Sequence, residues 1–132
     1  MLDIGANDGV TFSNSRALLL AGWSGVLLEP SPAANAKLFN LYAEMDSVIC
    51  CSCGIAEQIG TKTLHQSGVY NNEGDISGLL SCIDPAEKAR WGEQVTFTEV
   101  DAYFLTFAEF QYEMATDHGI QTFEFITIDA EG

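Results

Sequence analysis

The chain has 132 residues, 47% hydrophobic and 11% aromatic, enough for one domain with a real core and far from the composition of chains that stay disordered. Its 19 acidic residues against 5 Lys or Arg give a formal net charge of -14, a field that repels a phosphate backbone and an anionic membrane surface alike, so nucleic acid is excluded as a partner. No apolar run reaches the ~18 residues that span a bilayer, and the N-terminus lacks the basic, apolar, small-residue order of a signal peptide; no membrane insertion is expected and a cytoplasmic setting is the default.

In chain order, Leu2-Asp3-Ile4 is a stub of apolar strand that breaks into Gly5-Ala6-Asn7-Asp8-Gly9. Ser13 to Ser15 then offer N-caps to an Ala- and Leu-rich helix that stops at Gly22. Gly25-Val26-Leu27-Leu28 is a short, fully apolar strand ending at Glu29-Pro30. Ser31-Pro32 pairs an N-cap with Pro at the first helical position, and Ala34, Leu38, Leu41 and Tyr42 form the stripe of the helix that follows. Val48 to Cys53 reads as a third buried strand, and Thr61 to His65 as a weakly alternating one.

From Gln66 to Gly78 three Gly and two Asn without apolar periodicity predict a long loop. Asp84-Pro85 repeats the cap-plus-Pro signature before a short helix through Trp91, and Val95 to Val100 alternates as a half-buried strand. Asp101 is placed to cap a helix on which Phe104, Phe107, Gln111 and Met114 share a face, with Gly119 as its stop. Phe123 to Ile128 is the last strand and runs straight into Asp129-Ala130-Glu131-Gly132. Apolar strands alternating with amphipathic helices predict an α/β fold with a doubly wound, mostly parallel sheet. A strand or hairpin is expected as an insertion between Gly60 and Val100. Cys50, Cys51, Cys53 and Cys82 read as core thiols rather than as zinc ligands, because Cys-Cys-Ser-Cys lacks the spacer that lets paired ligands converge.

In open α/β sheets ligands bind beyond the carboxyl ends of the strands, and three such ends carry acids here. Asp3 precedes the glycine turn Gly5 to Gly9, where the backbone can approach a ligand closely and an acid can face a cationic group. Taken alone, the same pattern also fits a tight turn with a solvated Asp. Glu29 ends the second strand 20 residues after Gly9, the place where a carboxylate accepts the ribose hydroxyls of an adenosine cofactor. A dinucleotide cofactor fits less well, since Asn7 stands where the Gly-x-Gly-x-x-Gly fingerprint wants glycine and the turn's acids oppose a pyrophosphate. Asp129 and Glu131 end the last strand, which a doubly wound sheet sets beside the first. A carboxylate there can act as a base toward a hydroxyl or hold a divalent metal that acidifies it, or simply end the strand.

Leu2-Asp3-Ile4-Gly5-Ala6-Asn7-Asp8-Gly9, Leu28-Glu29-Pro30-Ser31-Pro32 and Ile128-Asp129-Ala130-Glu131-Gly132 together resemble the FkbM-type methyltransferases, and the similarity extends over nearly the whole chain. The resemblance implies a Rossmann-like class I methyltransferase fold that uses S-adenosylmethionine, typically for O-methylation of a sugar, glycolipid or polyketide hydroxyl. It implies that Asp3, Gly5 and Asn7 serve the methionine end of the cofactor and Glu29 the ribose, with Gly9 also among the cofactor-binding residues. Ser52 stands where the family often has Asn, near the adenine, and Asp129 with Glu131 falls on the acceptor side. It further implies a single cofactor-binding domain over 1–132, incomplete at both ends and ending after the fourth sheet strand. The expected partner is a small-molecule or glycan acceptor, with a homo-oligomer formed through an exposed sheet edge as a further expectation. The rival from another class is a non-catalytic adenosyl-binding or interaction module.

Overall fold

A computed structural model describes residues 1–70, 74–75 and 79–130. The strands that read as apolar throughout are the ones covered on both faces. β1 (Leu2–Ile4) and β2 (Gly25–Leu28) are buried at every position, whereas β3 (Val48–Cys51) at the sheet's edge is half-buried. Between β1 and β2 lies α1 (Arg16–Leu20), and between β2 and β3 lies α2 (Pro32–Tyr42). Beyond β3 come β4 (Gly54–Ile55), β5 (Gly60–Tyr70), β6 (Gly74–Asp75), α3 (Pro85–Trp91), β7 (Val95–Leu105), α4 (Phe107–Asp117) and β8 (Ile126–Ile128).

One sheet runs in the order β3-β2-β1-β8 with every pairing parallel. α1 and α2 cover one face, where Leu19, Leu38 and Tyr42 pack with Leu27 and Ala6. α4 covers the other, where Phe110 and Met114 pack with Leu2, Ile4, Val26 and Leu28. This is the doubly wound arrangement that the alternating strands and helices predict, and β8 lies beside β1 as expected, with Ile4 in register with Ile128. Strand alternation sends Cys50 and Cys51 to opposite faces, the first against the α2 side and the second against the α4 side. All four cysteines are thiols, and burial pushes Cys51 up to about 11 and Cys53 up to about 12.

A second sheet, in the order β4-β7-β5-β6, is built almost entirely from the segment between Gly54 and Leu105. Its centre is the long antiparallel pair of β5 and β7, the expected inserted hairpin. Three expectations about this segment need correction. Val48 to Cys53 is not one strand: β3 ends at Cys51, and Gly54–Ile55 pairs with Phe104 and Leu105 in the second sheet. Gln66 to Gly78 is not simply a loop, since β5 continues to Tyr70 and pairs antiparallel with Gly74–Asp75; residues 71–73 and 76–78 of that stretch lie outside the described residues. Gly68, which reads as a loop signal, sits at a register shift where an added Cβ would lie 2.8 Å from Thr96 Oγ1, so the glycine permits a close strand approach.

Finally, Asp101 caps no helix. It is an exposed strand residue, and Ala102, Phe104 and Leu105 carry β7 onward into the core. The cap is Thr106, whose Oγ1 accepts from Glu109 N at 3.2 Å. Of the residues expected on that helix's inner face only Met114 is buried there: Phe104 belongs to β7, Phe107 and Gln111 are exposed, and Phe110 joins Met114 in the core. The other caps fall where the sequence puts them: Ser31 Oγ accepts from Ala34 N, and Asp84 Oδ1 accepts from Ala86 N.

Two glycines share nearly the same backbone and differ only in surroundings. Gly5 has φ +89 and an added Cβ would fall on the carbonyl oxygen of Asp129, while Gly22 has φ +93 and nothing within 4 Å. Gly22→Ala is therefore expected to cost only the left-handed strain, ~1–2 kcal/mol. Gly5→Ala must also part β1 from β8, and is expected to cost at least ~3 kcal/mol by the same strain plus overpacking. Urea unfolding of the two variants side by side checks the difference; equal losses would mean that the approach of Asp129 to Gly5 is not a packing constraint.

Candidate functional site

β1 delivers Asp3 and Ile4 to the end of the sheet, and the chain turns away at once because Gly5 N and Ala6 N both donate to Leu28 O, each at 3.0 Å. The turn is thereby pinned to the end of β2. Asn7 follows in a left-handed conformation, φ 50, which Asn tolerates better than most residues. Its backbone N–H donates to Glu29 Oε2 at 2.8 Å, and Ser31 N donates to Glu29 Oε1, also at 2.8 Å. Asn35, from the first turns of α2, donates through Nδ2 to the carbonyls of Glu29 at 3.0 Å and Cys51 at 3.2 Å. One buried carboxylate and one buried amide therefore join the ends of β1, β2 and β3 to the start of α2.

These groups form the floor of a cleft of about 890 Å³, counting the open space at its mouth. Asp3, Asn7 and Glu29 face it from the parallel sheet, Thr11 to Asn14 and Asp129 edge it, and Ile55, Leu64, Ile83 and Phe104 of the inserted segment form an apolar wall. The two sides are tied by Gln66 of β5, whose Oε1 accepts from Ser31 Oγ at 2.8 Å. Asn7 Oδ1 is buried and makes no hydrogen bond among the described residues. A buried acceptor without a donor costs roughly 1–3 kcal/mol.

Of the residues expected at the site, Asp3, Gly5, Asn7, Glu29 and Asp129 line this one cleft. Asp129 follows β8, is solvent-exposed, and donates its backbone N–H to Ile4 O at 2.9 Å. Gly9 and Ser52 are not among the lining residues. Gly9 is buried where an added Cβ would meet Leu38 and Tyr42 at 2.8 Å each, so it lets α2 pack on the turn. Ser52 is exposed beyond the end of β3. Glu131 lies outside the described residues. Among the described residues, no three His, Cys, Asp or Glu side chains come together to hold a metal ion, and no helix is long and apolar enough to cross a membrane.

Asn35, Gln66, Ser15 and the apolar wall escape a reading by motif. Asn35 sits inside the apolar stripe of α2, four residues after its cap, and a polar residue there is the one signal that could have marked it. Both floor acids are held toward the neutral form. Burial raises Asp3 above the usual carboxylate range against the pull of the Ser15 hydroxyl, and negative Asp129 adds to the rise. Burial pushes Glu29 up to about 7; the N–H groups of Ser31 and Asn7 oppose this and the charge of Asp3 reinforces it.

A model of one protein family, described as the methyltransferase FkbM domain, matches residues 3–132. No curated protein and no solved structure matches the chain.

The raised Glu29 has a measurable consequence for the ligand-free protein. The folded state keeps this proton up to about 7 while the unfolded chain releases it near 4.5, so between those values the folded state binds more protons and stability falls as pH rises. The loss is of the order of 3 kcal/mol and levels off above the folded value. Urea unfolding of the wild type and Glu29→Gln at pH 4.5, 6 and 7.5 isolates this contribution from the general repulsion of an acidic chain. The gap between the two proteins is expected to shift steadily toward the variant with rising pH. A gap independent of pH would show that Glu29 titrates normally.

Proposed function

Since the chain belongs to the FkbM methyltransferase family, we propose that its cleft binds S-adenosylmethionine and that it methylates a hydroxyl of a small-molecule or glycan acceptor. The observation that carries this reading is the buried, donor-less Asn7 Oδ1 beside two buried carboxylates. The group fits that floor: its methionine end brings an ammonium and a sulfonium, which want acceptors and negative charge, and its ribose brings two hydroxyl donors. When bound, it supplies an electrophilic methyl group on a positively charged sulfur.

Asp3 and Asn7 hold the methionine end, with Asn7 Oδ1 taking the donor it lacks. Glu29 takes the ribose hydroxyls. Its two backbone bonds leave lone pairs on both oxygens, and hydroxyl donors favour its charged form, so binding draws the proton off. The apolar wall of Leu64, Ile83 and Phe104 suits the flat faces of the adenine. Asp129 stands on the acceptor side at the cleft edge and accepts the proton that the acceptor hydroxyl must lose, and Glu131 belongs to the same side by position in sequence. The chain's remaining task is to hold the acceptor oxygen in line with the methyl group, where positioning is the main source of rate.

Calorimetric titration with S-adenosylmethionine, S-adenosylhomocysteine and NAD tests the binding half. The first two are expected to bind, with affinity increasing from pH 6 to 8 as Glu29 ionises around about 7; a preference for NAD sinks the reading. Asp129→Asn is expected to lower methyl transfer by ~100- to 10,000-fold while leaving cofactor affinity nearly unchanged. Normal turnover by that variant would leave Asp129 as a strand terminus and nothing more. If Asp129 instead acts by holding a divalent ion, chelators inhibit the unmutated enzyme.

A further inference from the structure

Phe12 is anomalous in two ways at once. Its φ is 53, in the left-handed region, where a bulky side chain is a genuine outlier. Its ring is 83% exposed, so no core contact compensates for the strain. The segments on either side are tied by hydrogen bonds. Asp8 Oδ1 accepts from Val10 N at 2.9 Å and Thr11 N at 2.7 Å, and Asp8 Oδ2 from Thr11 Oγ1 at 2.8 Å. On the far side Ser13 N donates to Val10 O at 3.4 Å, and Ser13 Oγ accepts from Arg16 N at 3.1 Å.

These bonds fix the chain up to Thr11 and from Ser13 onward, which leaves Phe12 to make the bend. The bend sets the residue among those lining the cleft, on the segment that continues from the turn carrying Asn7. Strain of this kind persists only where the surroundings over-determine it, and it clusters at ligand clamps. The same cleft is lined by buried carboxylates and by Asn7 with its orphaned acceptor, a floor suited to a cation. An aromatic face attracts a cation from the other side.

We propose that Phe12 is the aromatic cover of the site, packing its ring over the cationic methionine end of the bound cofactor and closing it off from water. This rests on the cofactor assignment of the preceding subsection. It assigns a binding role to a residue that neither the glycine turn nor the strand-end acids point to, and it explains why an exposed phenylalanine occupies a position that glycine would fill without strain.

The test combines ligand-free melting temperature with calorimetric affinity for S-adenosylmethionine, which carries the sulfonium, and S-adenosylhomocysteine, which does not. Phe12→Gly is expected to melt at the wild-type temperature or roughly 1–4 °C above it, because strain is relieved and little burial is lost. The same variant is expected to bind both ligands at least ~10-fold more weakly through the lost apolar cover. Phe12→Leu keeps apolar bulk without a π face, and is expected to weaken S-adenosylmethionine ~3- to 30-fold more than S-adenosylhomocysteine. A Phe12→Gly protein that melts lower and binds normally overturns the proposal, because the ring then serves the fold. Equal treatment of the two ligands by Phe12→Leu overturns it as well. An unmutated protein that binds neither ligand overturns the cofactor assignment itself, an outcome distinct from binding that ignores Phe12.

Discussion

Everything at the carboxyl end of the parallel sheet depends on how Glu29 is held. A carboxylate with 4% of its surface exposed would be expensive to bury unpaired, and two backbone N–H groups, from Asn7 and Ser31, satisfy it. Those two donors come from the turn after β1 and from the cap of α2. Satisfying Glu29 therefore fixes both, and the turn in turn fixes where Asp3, Asn7 and Phe12 stand. Asn35 closes the arrangement by spanning the carbonyls of Glu29 and Cys51, which keeps the ends of β2 and β3 level. Removing any one of these leaves another buried polar group without a partner, so the floor behaves as a unit.

The second sheet turns this floor into a cleft. The β5/β7 hairpin brings Leu64 and Phe104 over the sheet ends, and Gln66 bonds to the cap of α2, so the wall is tied to the floor through the same helix N-terminus that Glu29 orders. The result is a site divided by chemistry, with buried acids and a free acceptor on one side and aliphatic and aromatic surface on the other. A ligand with a cationic end and a flat apolar portion matches that division. The acids are also uncomfortable without one. Burial raises the proton affinity of both, with the charge of Asp129 adding to the rise at Asp3 and that of Asp3 to the rise at Glu29, so a cationic ligand with hydroxyl donors relieves a cost that the ligand-free fold carries.

The two halves of the site also differ in how tightly the chain binds itself. Around Glu29 the oxygens and amides are matched, as in any well-formed core. At the cleft they are not: among the described residues Asn7 Oδ1 has no donor, and Phe12 sits in a strained, exposed conformation. Local rules that hold through most of the fold fail at these two neighbouring places, the expected pattern where structure has been given over to ligand contact.

Much of the parallel sheet could be read directly from the chain. Short apolar runs such as Gly25 to Leu28, Ser31-Pro32 and Asp84-Pro85 at helix starts, and acids at the strand ends all act within a few residues of one another, so spacing alone locates them. The pairing of Asp3 and Glu29 in one cleft also followed, since a parallel βαβ unit leaves its strand ends side by side. What sequence could not determine was set by contacts between distant segments. Gly68 and its polar neighbours look like loop until β7 pairs with them, and Asp101 looks like a cap until Ala102 and Phe104 find the core beneath the second sheet. Likewise Asn35 becomes a bridge only when β3 arrives beside β2, and Gly5 becomes irreplaceable only when Asp129 closes against it. Caps and strand ends are local chemistry, written in adjacent residues; a wall, a bridge or a close approach exists only once the tertiary fold has joined its two halves.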